Sequence, residues 1–154
     1  MTEGEFENLI NKDKYQVFII RTSASLPFIF SVHPYFVINK KGEISRYEIR
    51  HYFSKDGTYL HIDAQPPFQG LPLIWPIQKF FQGVKLISMI EGDENSRAKE
   101  LLDIVERSRK EYPFLKKYAF LGANCATYVA WVLTNFPEIK IKLPWNAIGK
   151  NYKQ

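Results

Sequence analysis

The spacing of apolar positions changes about two-thirds of the way along the chain. Before that point they fall in short runs rich in β-branched and aromatic residues: QVFIIRTSA (16–24), FIFSVHPYFVINK (28–40), EISRYEIRHYF (43–53), TYLHIDA (58–64) and VKLISMIEG (84–92). Runs of this length, separated by Gly, Asp and Lys, predict strands. Lys40-Lys41-Gly42 reads as a hairpin turn with Gly at positive φ; a three-residue loop there pairs Asn39 with Glu43. Four prolines in PPFQGLPLIWP (66–76) predict an extended loop.

The remaining apolar residues follow a helical period. Ala98, Leu101, Leu102 and Val105 recur at i, i+3, i+4 and i+7, predicting an amphipathic helix from about Glu94 to Glu111. Asp103 with Arg107, and Glu106 with Lys110, stand at the acid-first i, i+4 spacing on its other face. Pro113 opens a short segment, Gly122 breaks the chain, and a second helix is predicted from Asn124 to about Asn135, stopped before Pro137. Tyr128 to Leu133 leave that helix almost no polar face, so it is expected to be buried on most sides. Strands followed by helices predict an α+β fold, an antiparallel sheet packed on helices. Neither an internal repeat nor a linker is visible, which predicts one domain over 1–154, with 1–14 as a flexible or helical N-terminal extension.

Composition narrows the classes. A chain of 154 residues can bury a real core without staples. An aromatic share of 16% suits either a compact core or an aromatic-lined groove. The one cysteine excludes an internal disulfide and any four-cysteine metal site. The N-terminal MTEGEFENLINKDKY lacks the apolar segment of a secretory signal, and runs such as VFII (17–20) are far too short to span a membrane. A cytoplasmic protein is therefore expected. The net charge of +5 resides in the last third: residues 101–154 carry nine Lys or Arg against four Asp or Glu, and residues 1–100 balance at twelve each. Such a skew fits an anionic partner or a solvated helical face. Without a stripe of Arg and exposed aromatics, no nucleic-acid role is expected.

The candidate chemistry centres on Cys125 in GANCATYVAWVL (122–133). Asn124 is a favoured N-cap, making Cys125 the first residue of the helix. There the helix dipole and the unpaired first-turn amides favour a thiolate, and the Cys125 N–H can form part of an oxyanion hole. Gly122 would let the backbone approach a substrate closely. The competing reading is a small buried core residue, since Cys125 shares a face with Tyr128, Val129 and Val132. A nucleophile needs a base. Of the three histidines, His33 lies within the otherwise apolar VHPYFVI, where its ring needs a partner. The hairpin places His33 opposite Ile49, or opposite Glu48 in a register one residue different, so either Glu48 or His51 is available to orient the imidazole. His61 and Asp63, at i, i+2, have metal-ligand chemistry but an unspecific spacing that an ordinary surface strand explains better, so no metal and no cofactor are expected.

A histidine strand, HPYFVI, followed by a hairpin and then by NC opening an apolar helix, resembles the permuted papain-like hydrolases, the NlpC-type peptidases and the lecithin:retinol acyltransferase group. His33 precedes Cys125 by 92 residues, the permuted order. A closer resemblance, through RYEI (46–49), YPF (112–114), GANCATYVAWVL and LPWNAIGKNY (143–152), is to an uncharacterised bacterial family, domain of unknown function 3750. That resemblance implies fold more than chemistry. It also implies serine in place of Cys125 in many members, in a pattern like G-P-N-S-N-T-F, so the nucleophile is Ser or Cys, or the position is not catalytic. The expected function is a thiol hydrolase or acyltransferase acting on an amide, peptide or ester. Cys125 would be nucleophile, His33 base and Glu48 or His51 orienter. The alternative is a non-catalytic binding module with a groove lined by Tyr35, Trp75 and Trp145 and an anionic partner on its basic C-terminal half.

Overall fold

The computed structural model describes residues 1–24, 30–70, 83–136 and 140–152. In chain order the elements are α1 (Glu3–Glu7), β1 (Tyr15–Ser23), β2 (Val32–Lys40), β3 (Glu43–Ile49), β4 (Leu60–Ile62), β5 (Lys85–Gly92), α2 (Arg97–Glu111) and α3 (Cys125–Thr134). The five strands form one sheet in the order β4-β3-β2-β1-β5, every pairing antiparallel. The fold is α+β, as the run lengths predict. Trp75 and the part of the proline-rich loop from 71 to 76 lie outside the described residues, as do 28–29 of the second predicted strand.

Both faces of the central strands are covered, which is why their sequences read as nearly continuous apolar runs. On one face Val17, Ile19, Phe36, Ile38, Tyr47 and Ile49 pack with Leu101, Leu102 and Val105 of α2 and with Tyr128, Val129 and Val132 of α3. On the other, Phe18, Ile20, Tyr35 and Val37 pack with Phe6, Phe68 and Val84. Phe6 explains the N-terminal segment. A capping box between Thr2 and Glu5 starts α1, and its one buried side chain, Phe6, stacks on Phe68 at 4.8 Å. The 1–14 extension is thus helical over Glu3–Glu7 and docked. Buried Gln16 secures the rest of it, donating to the carbonyl of Leu9 and accepting from the amide of Asn11 and the side chain of Asn39.

The hairpin between β2 and β3 is tighter than a three-residue loop. Lys40 pairs with Glu43, so the loop is Lys41-Gly42, both at positive φ (52° and 100°), and Asn39 Oδ1 accepts from the Gly42 amide at 2.7 Å. A two-residue turn with both residues at positive φ matches the right-handed strand twist. The ladder runs as far as Phe36↔Tyr47. Continued, this register sets His33 opposite Arg50, not opposite Ile49 or Glu48, and Glu48 becomes its diagonal neighbour on the same face.

The helices follow from local signals. Ser96 caps α2, accepting from the Lys99 amide. Asp103 is taken by Lys99 within the helix, and Glu106 reaches Lys40 of β2, in place of the i, i+4 partners read from the sequence. Buried Ser108 joins α2 to α3 by bonding the Tyr128 hydroxyl at 2.8 Å.

Candidate active site

Asn124 begins α3 in extended geometry, and its Oδ1 accepts from the amides of Ala126 (2.9 Å) and Thr127 (3.2 Å). Its Nδ2 donates to the carbonyl of Phe120 at 2.6 Å. Asn124 is therefore wholly a cap, and the amide of Cys125 is not among those it takes. Cys125 is half-buried at the rim of the helix-side core. Gly122 is buried and close-packed against the protein itself: a β-carbon there would lie 3.0 Å from the ring of Tyr152. Its smallness makes room for that ring.

His33 lies near the start of β2, 5% exposed. Next to it Val32 packs on Ala126, the residue after Cys125, which brings the histidine strand to the head of α3. His33 Nε2 bonds Glu48 Oε2 at 2.9 Å. Burial alone would push the imidazole down. The charge of Cys125 and a hydrogen bond with its thiol, joined by the hydrogen bond and charge of Glu48, outweigh burial and raise His33 to about 9. With Nε2 given to Glu48, Nδ1 is the ring nitrogen left to serve the sulfur.

Glu48 is fully buried, and three cationic side chains converge on it. Its Oε2 accepts from His33 and from Arg46 Nη2 (2.8 Å), and its Oε1 accepts from Nε (2.8 Å) and Nη2 of Arg50. Burial would raise the carboxyl; the hydrogen bond and charge of His33, then the charges of Arg46 and Arg50, bring it down to about 2. Arg46 is itself fully buried, lies 3.8 Å over the ring of Tyr35, and donates from Nη1 to the carbonyls of Pro66 (3.0 Å) and Gln69 (2.7 Å). Arg50 also donates to the Tyr52 hydroxyl.

The other candidates separate from this cluster. His51 is exposed and packs edge-on against Tyr52, so of the two candidates it is Glu48 that meets the His33 ring. Tyr35 is fully buried, with the guanidinium of Arg46 over its ring. Trp145 is 89% exposed, and Trp75 lies outside the described residues. His61 bonds the carbonyl of Tyr52 through Nε2, and Asp63 Oδ1 accepts from the Arg46 amide, so both hold the β3–β4 corner.

Two features of the site escape a reading by residue type. One is the pair of arginines. The other is a strap formed by residues 143–152, which wraps the head of α3. The carbonyl of Gly149 accepts from Thr127 Oγ1 at 2.8 Å, Ala147 packs on Ala126, and the carbonyl of Asn146 accepts from the amide of Val32. The strap thus touches both the cysteine's helix and the histidine's strand.

These segments, RYEI on β3, GANCATYVAWVL as cap and helix, and LPWNAIGKNY as strap, are matched together by a family described as protein of unknown function (DUF3750), over residues 13–152. The chain belongs to the DUF3750 family. No curated protein and no solved structure matches it. In this DUF3750 chain the matched span takes in the whole sheet, both longer helices and the strap.

Proposed function

We propose that this is a cysteine-dependent hydrolase or acyltransferase with the permuted papain-like, NlpC-type arrangement, acting on an amide, peptide or ester carbonyl. The observation that supports the reading is the line Cys125–His33–Glu48: a thiol at a helix head, a buried imidazole coupled electrostatically to its sulfur, and a carboxylate on the ring's Nε2.

The chemistry runs in two halves. The Cys125 sulfur, its proton passed to His33 Nδ1, attacks the carbonyl carbon, and the π electrons move to the carbonyl oxygen. The Cys125 N–H, which the Asn124 cap does not take, donates to that oxyanion. The C–N or C–O bond then breaks, and His33 gives its proton to the departing amine or alkoxide, leaving a thioester on Cys125. Water or an acceptor alcohol or amine next attacks the thioester while His33 takes its proton, and the thiolate is released. Glu48 keeps the ring turned toward the sulfur throughout.

Alkylation with iodoacetamide across pH 5 to 9 tests this. Rapid labelling of native protein near pH 6 that slows at least tenfold in His33→Ala is the expected result. Labelling that begins only on denaturation would make Cys125 a packing residue.

One feature favours a non-catalytic binding module instead. A cavity of about 700 Å³ runs along the side of α3 away from the cysteine, lined by Phe114, Trp131, Tyr152 and Lys150 among others. Saturable binding of an anionic aromatic ligand that protects Trp131 from quenching, together with an unreactive Cys125, would favour this reading over the enzyme.

A further inference from the structure

A buried carboxylate beside a buried imidazole has an obvious escape: the proton moves from nitrogen to oxygen, leaving two neutral groups and no charge to desolvate. A histidine neutralised in that way would no longer offer the sulfur a counter-charge. We propose that Arg46 and Arg50 are positioning residues that prevent this, clamping the Glu48 carboxylate so that it orients His33 without taking its proton. The inference rests on the catalytic reading of Cys125 and His33.

The geometry of the clamp divides the work. Arg50 presents two N–H groups, Nε and Nη2, to Oε1, the fork that fixes a carboxylate's plane. Arg46 presents Nη2 to the other oxygen, Oε2, the same atom that receives His33. Four donors therefore converge on Glu48. A proton moved from His33 onto Oε2 would leave the guanidinium contacts in place but take away the anion between two cations, in a site where Arg46 is fully buried and Arg50 is 8% exposed. Arg46 is in turn immobilised by the carbonyls of Pro66 and Gln69 and by the face of Tyr35.

The surroundings do not replace these two charges. From β2, His33 and Tyr35 face Glu48; from β4, its cross-strand partner His61 is spent on the Tyr52 carbonyl. Cys125 from α3 acts through His33, Tyr52 is held by Arg50, and exposed Asp63 bonds the backbone amide and carbonyl of Arg46. Two guanidiniums against one carboxylate leave the cluster at +1, whether Cys125 and His33 are both neutral or form a thiolate–imidazolium pair. A thiolate in this cluster is thus never surrounded by excess negative charge.

The test is the pH–rate profile of iodoacetamide labelling for wild type, Arg50→Gln and Arg50→Lys. Removing the cation lets Glu48 draw the proton, so the acid limb of Arg50→Gln moves up by about one pH unit, the scale expected for one nearby charge. Arg50→Lys keeps the charge and loses the fork; its limb stays in place while its plateau rate falls several-fold. A residue that merely supports the fold would lower the melting temperature and leave the limb where it is, and a limb unmoved in folded Arg50→Gln overturns the proposal. Should Arg50→Gln not fold, Arg50→Lys decides: wild-type limb and wild-type plateau together overturn it. If the wild-type protein itself shows no labelling dependent on His33, the catalytic reading has failed, a result distinct from either of these.

Discussion

Gly149 passes so close to Asn124 that a β-carbon on it would lie 2.5 Å from the Asn124 Nδ2 and 2.7 Å from its Oδ1. Gly149 also adopts φ +92°, where a side chain is strained whatever the space. Gly149→Ala therefore meets two obstacles, and the backbone term alone costs about 1–3 kcal/mol. The expected result in urea denaturation is a lower midpoint with an unchanged slope, and the rate of Cys125 labelling should fall with it, because the cap that seats the cysteine is displaced. A variant as stable and as reactive as wild type would mean that the strap does not hold the helix head.

Glu48→Gln changes one atom and removes the anion that both buried guanidiniums and His33 share. Breaking a buried ion pair on one side costs about 3–5 kcal/mol, since the partner charges remain buried. Chemical denaturation should show a loss of that order and labelling of Cys125 near pH 6 should fall. A loss below about 1 kcal/mol would indicate that Arg46 and Arg50 reach solvent, contrary to their burial.

Stability should peak in a mildly acidic window. The folded His33, raised from 6.5 to about 9, contributes stability that is complete below pH 6.5 and lost as the pH rises toward 9. Glu48, lowered from 4.5 to about 2, contributes stability that is complete above pH 4.5 and lost as the pH falls toward 2. Between pH 4.5 and 6.5 both contributions are whole. Denaturation midpoints measured from pH 3 to 9 should trace this plateau, and His33→Ala should flatten its alkaline side. An alkaline fall that persists in the mutant would assign it to other groups.

Two aromatic truncations should behave oppositely. Phe6 is fully buried against Phe68, so Phe6→Ala is expected to cost about 3–5 kcal/mol despite lying six residues from the start. Trp145 is 89% exposed, so Trp145→Ala should change stability by no more than about 0.5 kcal/mol. Any loss of activity in the second variant would then report contact with substrate. If Phe6→Ala proves neutral, the N-terminal helix is not part of the core.

The elements were legible because each carries its own local period. VFII and HPYFVI are apolar throughout since β1 and β2 are covered on both sides, and the spacing of Leu101, Leu102 and Val105 admits only a helix. The hairpin was legible as a turn but not in length: Lys41 takes φ 52°, a conformation that composition does not advertise, and the register moves by one residue as a result. The arginine clamp did leave a signal. In RYEIR (46–50) a two-residue period puts Arg46, Glu48 and Arg50 on one face and Tyr47 and Ile49 on the other. Alternation of that kind ordinarily reads as polar side to water, whereas the loop at Pro66–Gln69 and the ring of Tyr35 help to turn that face into an interior. The strap had no such signal, because nothing in LPWNAIGKNY states which helix it will meet.

The positions of His33, Glu48 and Cys125 along the chain also impose an order on how they come together. His33 and Glu48 are fifteen residues apart on one hairpin, a loop whose closure is cheap and fast. Cys125 and the strap at 143–152 emerge from a ribosome well after that hairpin can form. A nascent chain can therefore pair His33 with Glu48 before Cys125 has been made. The Cys125 sulfur can meet His33 only after the 92 residues that separate them have been made, so that contact forms later than the His33–Glu48 pair.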